Sequence, residues 1–267
     1  MTTITSPAGI RVSYDAGGSG PPLVLVHGSF SDHDSNWTLV RPFLEAHFRV
    51  HAVARRGRGD TAATRGHALE DEAEDVAAVL RAIEAPVHLL GHSYGAHCAL
   101  LAALLEPSRI GTLVLYEPPW PAIVRPDALV ALDTLARAGA WDPFAFAFFA
   151  NTLHVPTDDL DALRASGSWP SIVADAPASH RDLRALHAYR FDPWRFRALG
   201  MPVLLQVGSG SPRDLYVTDA LAAVLPDVRI DVLPGQAHEA MTTAPESYAR
   251  ATTSVLLSEG RLSRPTQ

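Results

Sequence analysis

The sequence contains no lysine, so its 22 Lys/Arg residues are all arginine. Chemistry that starts from a lysine amine, such as Schiff-base formation or anchoring of pyridoxal phosphate, is excluded. The single cysteine, Cys98, cannot form an intrachain disulfide, and its Ala- and Leu-rich surroundings mark a small core hydrophobe. No apolar run approaches the length needed to span a bilayer, and residues 1–9 lack the basic-then-apolar pattern of a secretion signal. These absences predict a cytoplasmic protein with no membrane partner. Basic stripes are missing as well. The formal charge is −7 and the one basic cluster is the short Arg55-Arg56-Gly57-Arg58 turn, which argues against a nucleic-acid partner. No His/Cys/carboxylate spacing marks a metal site, so neither a metal nor a cofactor is expected.

What is present is a chain of 267 residues, 47% apolar, long enough to bury a large core as one α/β domain. Apolar runs predict strands over 10–14, 23–26, 48–53, 87–90, 112–116, 202–208 and 228–233. Helical periodicity falls between them, over 37–44, 69–83, 94–105, 216–224 and 245–258. The alternation implies a mostly parallel central sheet with flanking helices. It stops after Glu117, where Pro118-Pro119-Trp120-Pro121 breaks the chain. Four helices without a strand follow, over 127–139, 141–153, 157–165 and 179–189, the last opening on Ser179 and Asp182 as a capping box. The chain therefore divides into a core of residues 1–117 and 201–267 and a helical cap of residues 118–200. A frayed tail is expected over 261–267.

The segment around which this is arranged is Gly91-His92-Ser93-Tyr94-Gly95, between the strand 87–90 and the helix that follows. A strand, a Gly-x-Ser-x-Gly turn and a helix make a nucleophile elbow. The turn strains the serine backbone and tolerates only small neighbours, so the hydroxyl of Ser93 projects at the sheet edge. The N–H of Tyr94 lies at the helix N-terminus, where unpaired donors favour a developing negative charge.

Four motifs in this order, His27-Gly28, Arg56-Gly57-Arg58-Gly59, the Ser93 elbow and Gly235-Gln236-Ala237-His238, resemble those of the α/β-hydrolases with a helical cap. The likeness covers nearly the whole chain. It implies Ser93 as nucleophile, His238 as general base and the amides of Ser29 and Tyr94 as oxyanion hole. A neutral serine hydroxyl needs such an imidazole to take its proton. The acid departs from the family pattern: the usual Gly-x-x-Asp turn reads Gly208-Ser209-Gly210-Ser211. Glu117, after the strand 112–116, is an alternative placement used within the superfamily, and Asp214 is its rival. Glu117 is preferred because it ends a strand beside the elbow strand and Pro118-Pro119 stiffen its backbone, whereas Asp214 follows a flexible Gly/Ser stretch. The loop Ala52-Val53-Ala54-Arg55-Arg56 departs as well, with Ala54 where the family often has an aspartate, and it is read as structural.

Serine at position 93 disfavours the aspartate-nucleophile branches. The resemblance thus implies a serine hydrolase acting on a carboxylic ester or lactone of a small-molecule substrate. The alternatives are a non-hydrolytic binder or cyclase on the same scaffold and a C–C bond hydrolase or perhydrolase. The cap's aromatic residues, among them Trp120, Phe148, Phe149 and Trp169, point to an apolar substrate portion. Because nucleophile, base and oxyanion donors lie outside the cap, the cap is expected to govern selectivity more than reactivity.

Overall fold

Alternation along the buried strands divides the core into two apolar layers. The structure, a computed structural model, describes residues 1–64 and 68–262. Its strands are β1 (Thr2–Thr5), β2 (Arg11–Gly18), β3 (Pro22–Val26), β4 (Arg49–Ala54), β5 (Val87–His92), β6 (Ile110–Tyr116), β7 (Val203–Gly208) and β8 (Val228–Leu233). They form one sheet in the order β1-β2-β4-β3-β5-β6-β7-β8. β1 pairs with β2 and β2 with β4 antiparallel, and from β4 to β8 every pairing is parallel. Successive side chains point to opposite faces. Val24, Val26, Leu89, Leu113 and Leu115 accordingly join one layer, while Leu23, Leu25, Leu90 and Val114 join the other.

Helices cover both faces. Their order is α1 (Arg41–Glu45), α2 (Leu69–Ala82), α3 (Tyr94–Leu105), α4 (Pro126–Arg137), α5 (Trp141–Asn151), α6 (Thr157–Ala165), α7 (Trp169–Ala188), α8 (Thr218–Ala222), α9 (Ala240–Thr243) and α10 (Pro245–Leu262). α2 and α3 bury Val76, Leu80, Cys98 and Leu101 in the first layer, and α1 and α10 bury Leu44, Tyr248 and Leu256 in the second. Both faces of β5 and β7 are covered, which is why these strands are mostly apolar and buried throughout. Between β6 and β7, helices α4 to α7 form a cap with its own core of Leu132, Phe144, Phe148, Leu160, Trp169 and Leu183. Phe30, from the loop after β3, is part of that cap core. No helix among the described residues is long and apolar enough to cross a membrane.

Four local expectations change. The helix expected over 37–44 begins at Arg41, because Pro42 is tolerated only in a first turn. The one expected from Ser179 begins at Trp169 and carries Pro177 inside it. Burial of Trp169 and Ala176 in the cap core outweighs the hydrogen bond lost at the proline. Ser179 and Asp182 are consequently fully buried mid-helix residues and cap nothing. Residues 2–5, outside every expected strand, form β1 by pairing with β2. The expected tail is helical through Leu262, and residues 263–267 lie outside the described residues.

Candidate active site

Ser93 occupies the junction of β5 and α3 with φ 54° and ψ −124°, a left-handed region that L-residues rarely adopt. The residues two positions before and after it must be glycine. A Cβ on Gly91 would lie 2.6 Å from Ala96 Cα, and one on Gly95 would lie 2.3 Å from the His27 carbonyl oxygen. That second contact shows how closely the elbow approaches the end of β3. The same approach brings the loop after β3 to Ser93, since a Cβ on Gly28 would lie 3.1 Å from Ser93 Cβ.

His238 follows β8 and shares a cavity wall with Ser93. Its Nδ1–H donates to Glu117 Oε2 at 2.6 Å. Glu117 directly follows β6 with φ 47°, is fully buried, and accepts the Gly208 N–H on Oε1 at 2.7 Å. Burial pushes the Glu117 carboxyl up, but His238, the Ser211 hydroxyl and the Gly208 N–H outweigh it and hold the group below its ordinary value. Ser211 stands where the family often has its aspartate, and here it supports a glutamate arriving from the neighbouring strand. Burial lowers the His238 pKa, and the Glu117 carboxylate reverses this and raises it above the ordinary histidine value. Asp214 lies in the exposed turn Arg213–Leu215.

Two residues not singled out from the sequence flank the imidazole. The Tyr216 ring stacks on it with centroids 5.5 Å apart and planes at 14°, its hydroxyl 3.2 Å from Nδ1. His92 lies with its ring centroid 4.7 Å from that of His238 and donates from Nε2 to the His238 carbonyl at 3.0 Å. Buried beside His238, His92 is held well below the ordinary histidine pKa and is neutral. Tyr216 had no signal in the sequence beyond its place after the Gly/Ser turn. His92, Glu239 and His238 bring three ligand atoms within 4.8 Å of one another, a set that sequence spacing did not foretell.

The loop 27–30 is held by a buried ion cluster. Arg55 donates from Nε to the His27 carbonyl at 2.9 Å and from Nη2 to the Gly28 carbonyl at 2.8 Å. Its guanidinium lies 4.5 Å from the centroid of the Tyr94 ring. Glu72 of α2 and Asp182 of α7 pair with it at 3.1 and 2.8 Å. Arg58 meets the same Asp182 oxygen at 2.8 Å and also pairs with Asp175 at 2.9 Å. Burial raises the Asp182 pKa, and Arg55 and Arg58 override it and push the group far down. The arginine loop, read as structural, is therefore in contact with the site.

Ser93 and His238 open onto a cavity of about 480 Å³ between sheet and cap. Its walls include Phe148, Phe149, Leu163 and Ile172 from the cap and Ser29 and Tyr94 from the core. Of the cap aromatics, Phe148 and Phe149 reach this cavity, whereas Phe144 and Trp169 fill the cap core and Trp194 is 61% exposed. The arrangement places a hydroxyl, an imidazole with a carboxylate partner, and two candidate amide donors around one apolar space.

Residues 23–251 match the alpha/beta hydrolase family. The crystal structure of an alpha/beta hydrolase from Sphaerobacter thermophilus DSM 20745 superposes with a TM-score of 0.82 at 31% identity, covering 96% of this chain and 100% of that one. The dihydrolipoyllysine-residue acetyltransferase component of the acetoin cleaving system of Pseudomonas putida is 29% identical over 87% of this chain and 63% of its own length. A pimeloyl-[acyl-carrier protein] methyl ester esterase of Methylococcus capsulatus is 34% identical over 41% of this chain and 44% of its own. The chain thus spans less than two thirds of the length of these two relatives.

Proposed function

The chain belongs to the alpha/beta hydrolase family, and on that premise we propose that it is a serine hydrolase cleaving a carboxylic ester or lactone of a small, largely apolar substrate. The observation that carries this reading is the His238–Glu117 pair at 2.6 Å on the wall of the cavity that Ser93 lines. Ser93 Oγ attacks the carbonyl carbon while His238 Nε2 takes its proton, and Glu117 stabilises the imidazolium without itself being protonated. The Ser29 and Tyr94 N–H groups receive the charge that develops on the carbonyl oxygen. Collapse breaks the ester C–O bond, His238 returns the proton to the departing alkoxide, and an acyl group is left on Ser93. Water, deprotonated by His238, then attacks the acyl carbon, the acyl C–Oγ bond breaks, and His238 returns the proton to Ser93 Oγ as the acid leaves.

No step calls on a metal or cofactor. The reading divides the chain into a catalytic core, residues 1–117 and 201–267, and a cap, residues 118–200, that supplies most apolar walls of the cavity, in a protein that works in the cytoplasm. A non-hydrolytic binder was motivated by the missing carboxylate after β7, and Glu117 supplies a carboxylate to His238 from β6. The methyl ester esterase relative is in keeping with ester chemistry. Treatment with a fluorophosphonate tests the reading. A mass increment on the wild type, lost in Ser93→Ala, is the expected result, and an unlabelled wild type that also hydrolyses no activated ester overturns it.

A further inference from the structure

The cap reaches the oxyanion loop through three contacts. Asp182 of α7, fully buried, accepts the Ser29 hydroxyl at 2.9 Å. Ser179, one turn earlier, accepts the Phe30 N–H on its Oγ at 2.6 Å. The Phe30 side chain, on a residue with φ 59°, stacks on Phe148 of α5 at 4.7 Å within the cap core.

From the core side, Arg55 donates to the Gly28 carbonyl, and Asp182 pairs with Arg55. This contact sets a direction. In a trans peptide the C=O and N–H point opposite ways, so a grip on the Gly28 carbonyl orients the Ser29 N–H away from Arg55. Arg55 also packs on the ring of Tyr94, whose N–H is the second candidate donor. One buried guanidinium therefore touches the carbonyl of the peptide that carries the Ser29 N–H and the ring of Tyr94, and one cap carboxylate holds that guanidinium and the Ser29 side chain together.

We propose that Asp182 and Arg55 form a clamp through which cap helix α7 positions the Ser29 amide, making the cap part of the oxyanion hole's geometry as well as the substrate's enclosure. The inference rests on the serine-hydrolase reading above and replaces the expectation that the cap acts on selectivity more than on reactivity. Asp182, Ser179 and Arg55 are positioning residues, because they act through the Ser29 and Tyr94 amides. Hydrogen-bond donors to an oxyanion act only when prealigned, and displacement by about 1 Å from a distant change can cost about 10²-fold.

The test uses Ser29→Ala, which removes the tether but keeps the amide and every buried charge. Ser29→Thr serves as the conservative rescue and Ser179→Ala as a second lesion. Expected for Ser29→Ala is a kcat loss of about tenfold or more on an activated ester with KM changed less than about twofold, at an unchanged melting temperature. Ser29→Thr restores most of the loss. In an Asp182→Asn background Ser29→Ala adds little, since its partner has already been changed. If Asp182→Asn does not fold, Ser179→Ala takes its place in that cycle.

Undiminished kcat in Ser29→Ala, or independent multiplicative losses in the double variant, overturns the clamp. Failure of the parent reading looks different, because the wild type is then inert to esters and fluorophosphonate. The clamp is judged in that event by amide hydrogen exchange of residues 28–31, which Ser29→Ala accelerates if the tether holds the loop and leaves unchanged if it does not.

Discussion

Glu117 and His238, 121 residues apart in the chain, meet in a hydrogen bond of 2.6 Å because β6 ends beside the loop that follows β8. β7 lies between those strands, and its last residue, Gly208, donates its N–H to the same carboxylate. The carboxylate thereby crosses one strand position to reach the imidazole. A glutamate, one methylene longer than aspartate, spans that offset.

Neutralising this carboxylate is expected to change both rate and pH dependence. Glu117→Gln should lower kcat by about 10²- to 10⁴-fold, as for other triad acids made neutral, whereas Asp214→Asn should change it less than about tenfold. His238 must be neutral to act as base, and Glu117 raises its pKa above the ordinary 6.5. Activity of the wild type therefore falls as pH drops through a value above 6.5. In Glu117→Gln the main raising influence is gone, leaving the smaller effect of Glu239 against burial, which lowers the pKa, so the acid limb moves to lower pH. A pH–kcat/KM profile whose acid limb stays in place, or a crippled Asp214→Asn, would show that another group partners His238.

Ser93→Ala and His238→Ala are each expected to reduce ester turnover by about 10³-fold or more, and the double variant should be little worse than either. The physical reason is that an unactivated hydroxyl and an imidazole without a nucleophile are equally idle. Steady-state kinetics of the three variants decide it, and independent, mild losses would contradict a shared step.

Removal of Arg55 is expected to be costly to the fold. Arg55→Leu leaves the buried Glu72 and Asp182 with less compensation, and breaking a buried ion pair on one side typically costs about 3–5 kcal/mol. The check is the urea midpoint, with unchanged slope, against the wild type. A loss below about 1 kcal/mol would mean that water or a neighbouring group replaces the guanidinium without difficulty.

Cap aromatics divide into core and cavity-lining residues, and the division predicts different effects. Phe149 lines the cavity, so Phe149→Ala should widen it and raise kcat/KM for a p-nitrophenyl octanoate relative to the butyrate by about tenfold. Trp169 stands mainly in the cap core, and Trp169→Ala should lower thermal stability, with a smaller shift in chain-length preference. Equal selectivity shifts from both substitutions would refute the assignment.

The strand and helix rhythm, the elbow at Ser93 and the late loop of His238 were legible in the sequence, because each is local. Apolar runs, helical periodicity and glycines at a strained turn express backbone and burial rules that act over a few residues. Glu117 was legible as one of two choices, since its place at a strand end is local but its distance from His238 depends on the sheet order β6-β7-β8. The roles of Arg55, Ser179 and Asp182 were decided by tertiary structure. Glu72 reads as an acid complementing a helix dipole, and Ser179 with Asp182 reads as a helix cap. Only packing of α7 against the loop after β3 sets Asp182 on the Arg55 guanidinium and Ser179 on the Phe30 N–H, and only packing of α2 beside them brings Glu72 to Arg55. Charge pairing between residues 127 apart has no signature in periodicity or propensity, because it is set by which surfaces of separately formed elements are pressed together and cut off from water.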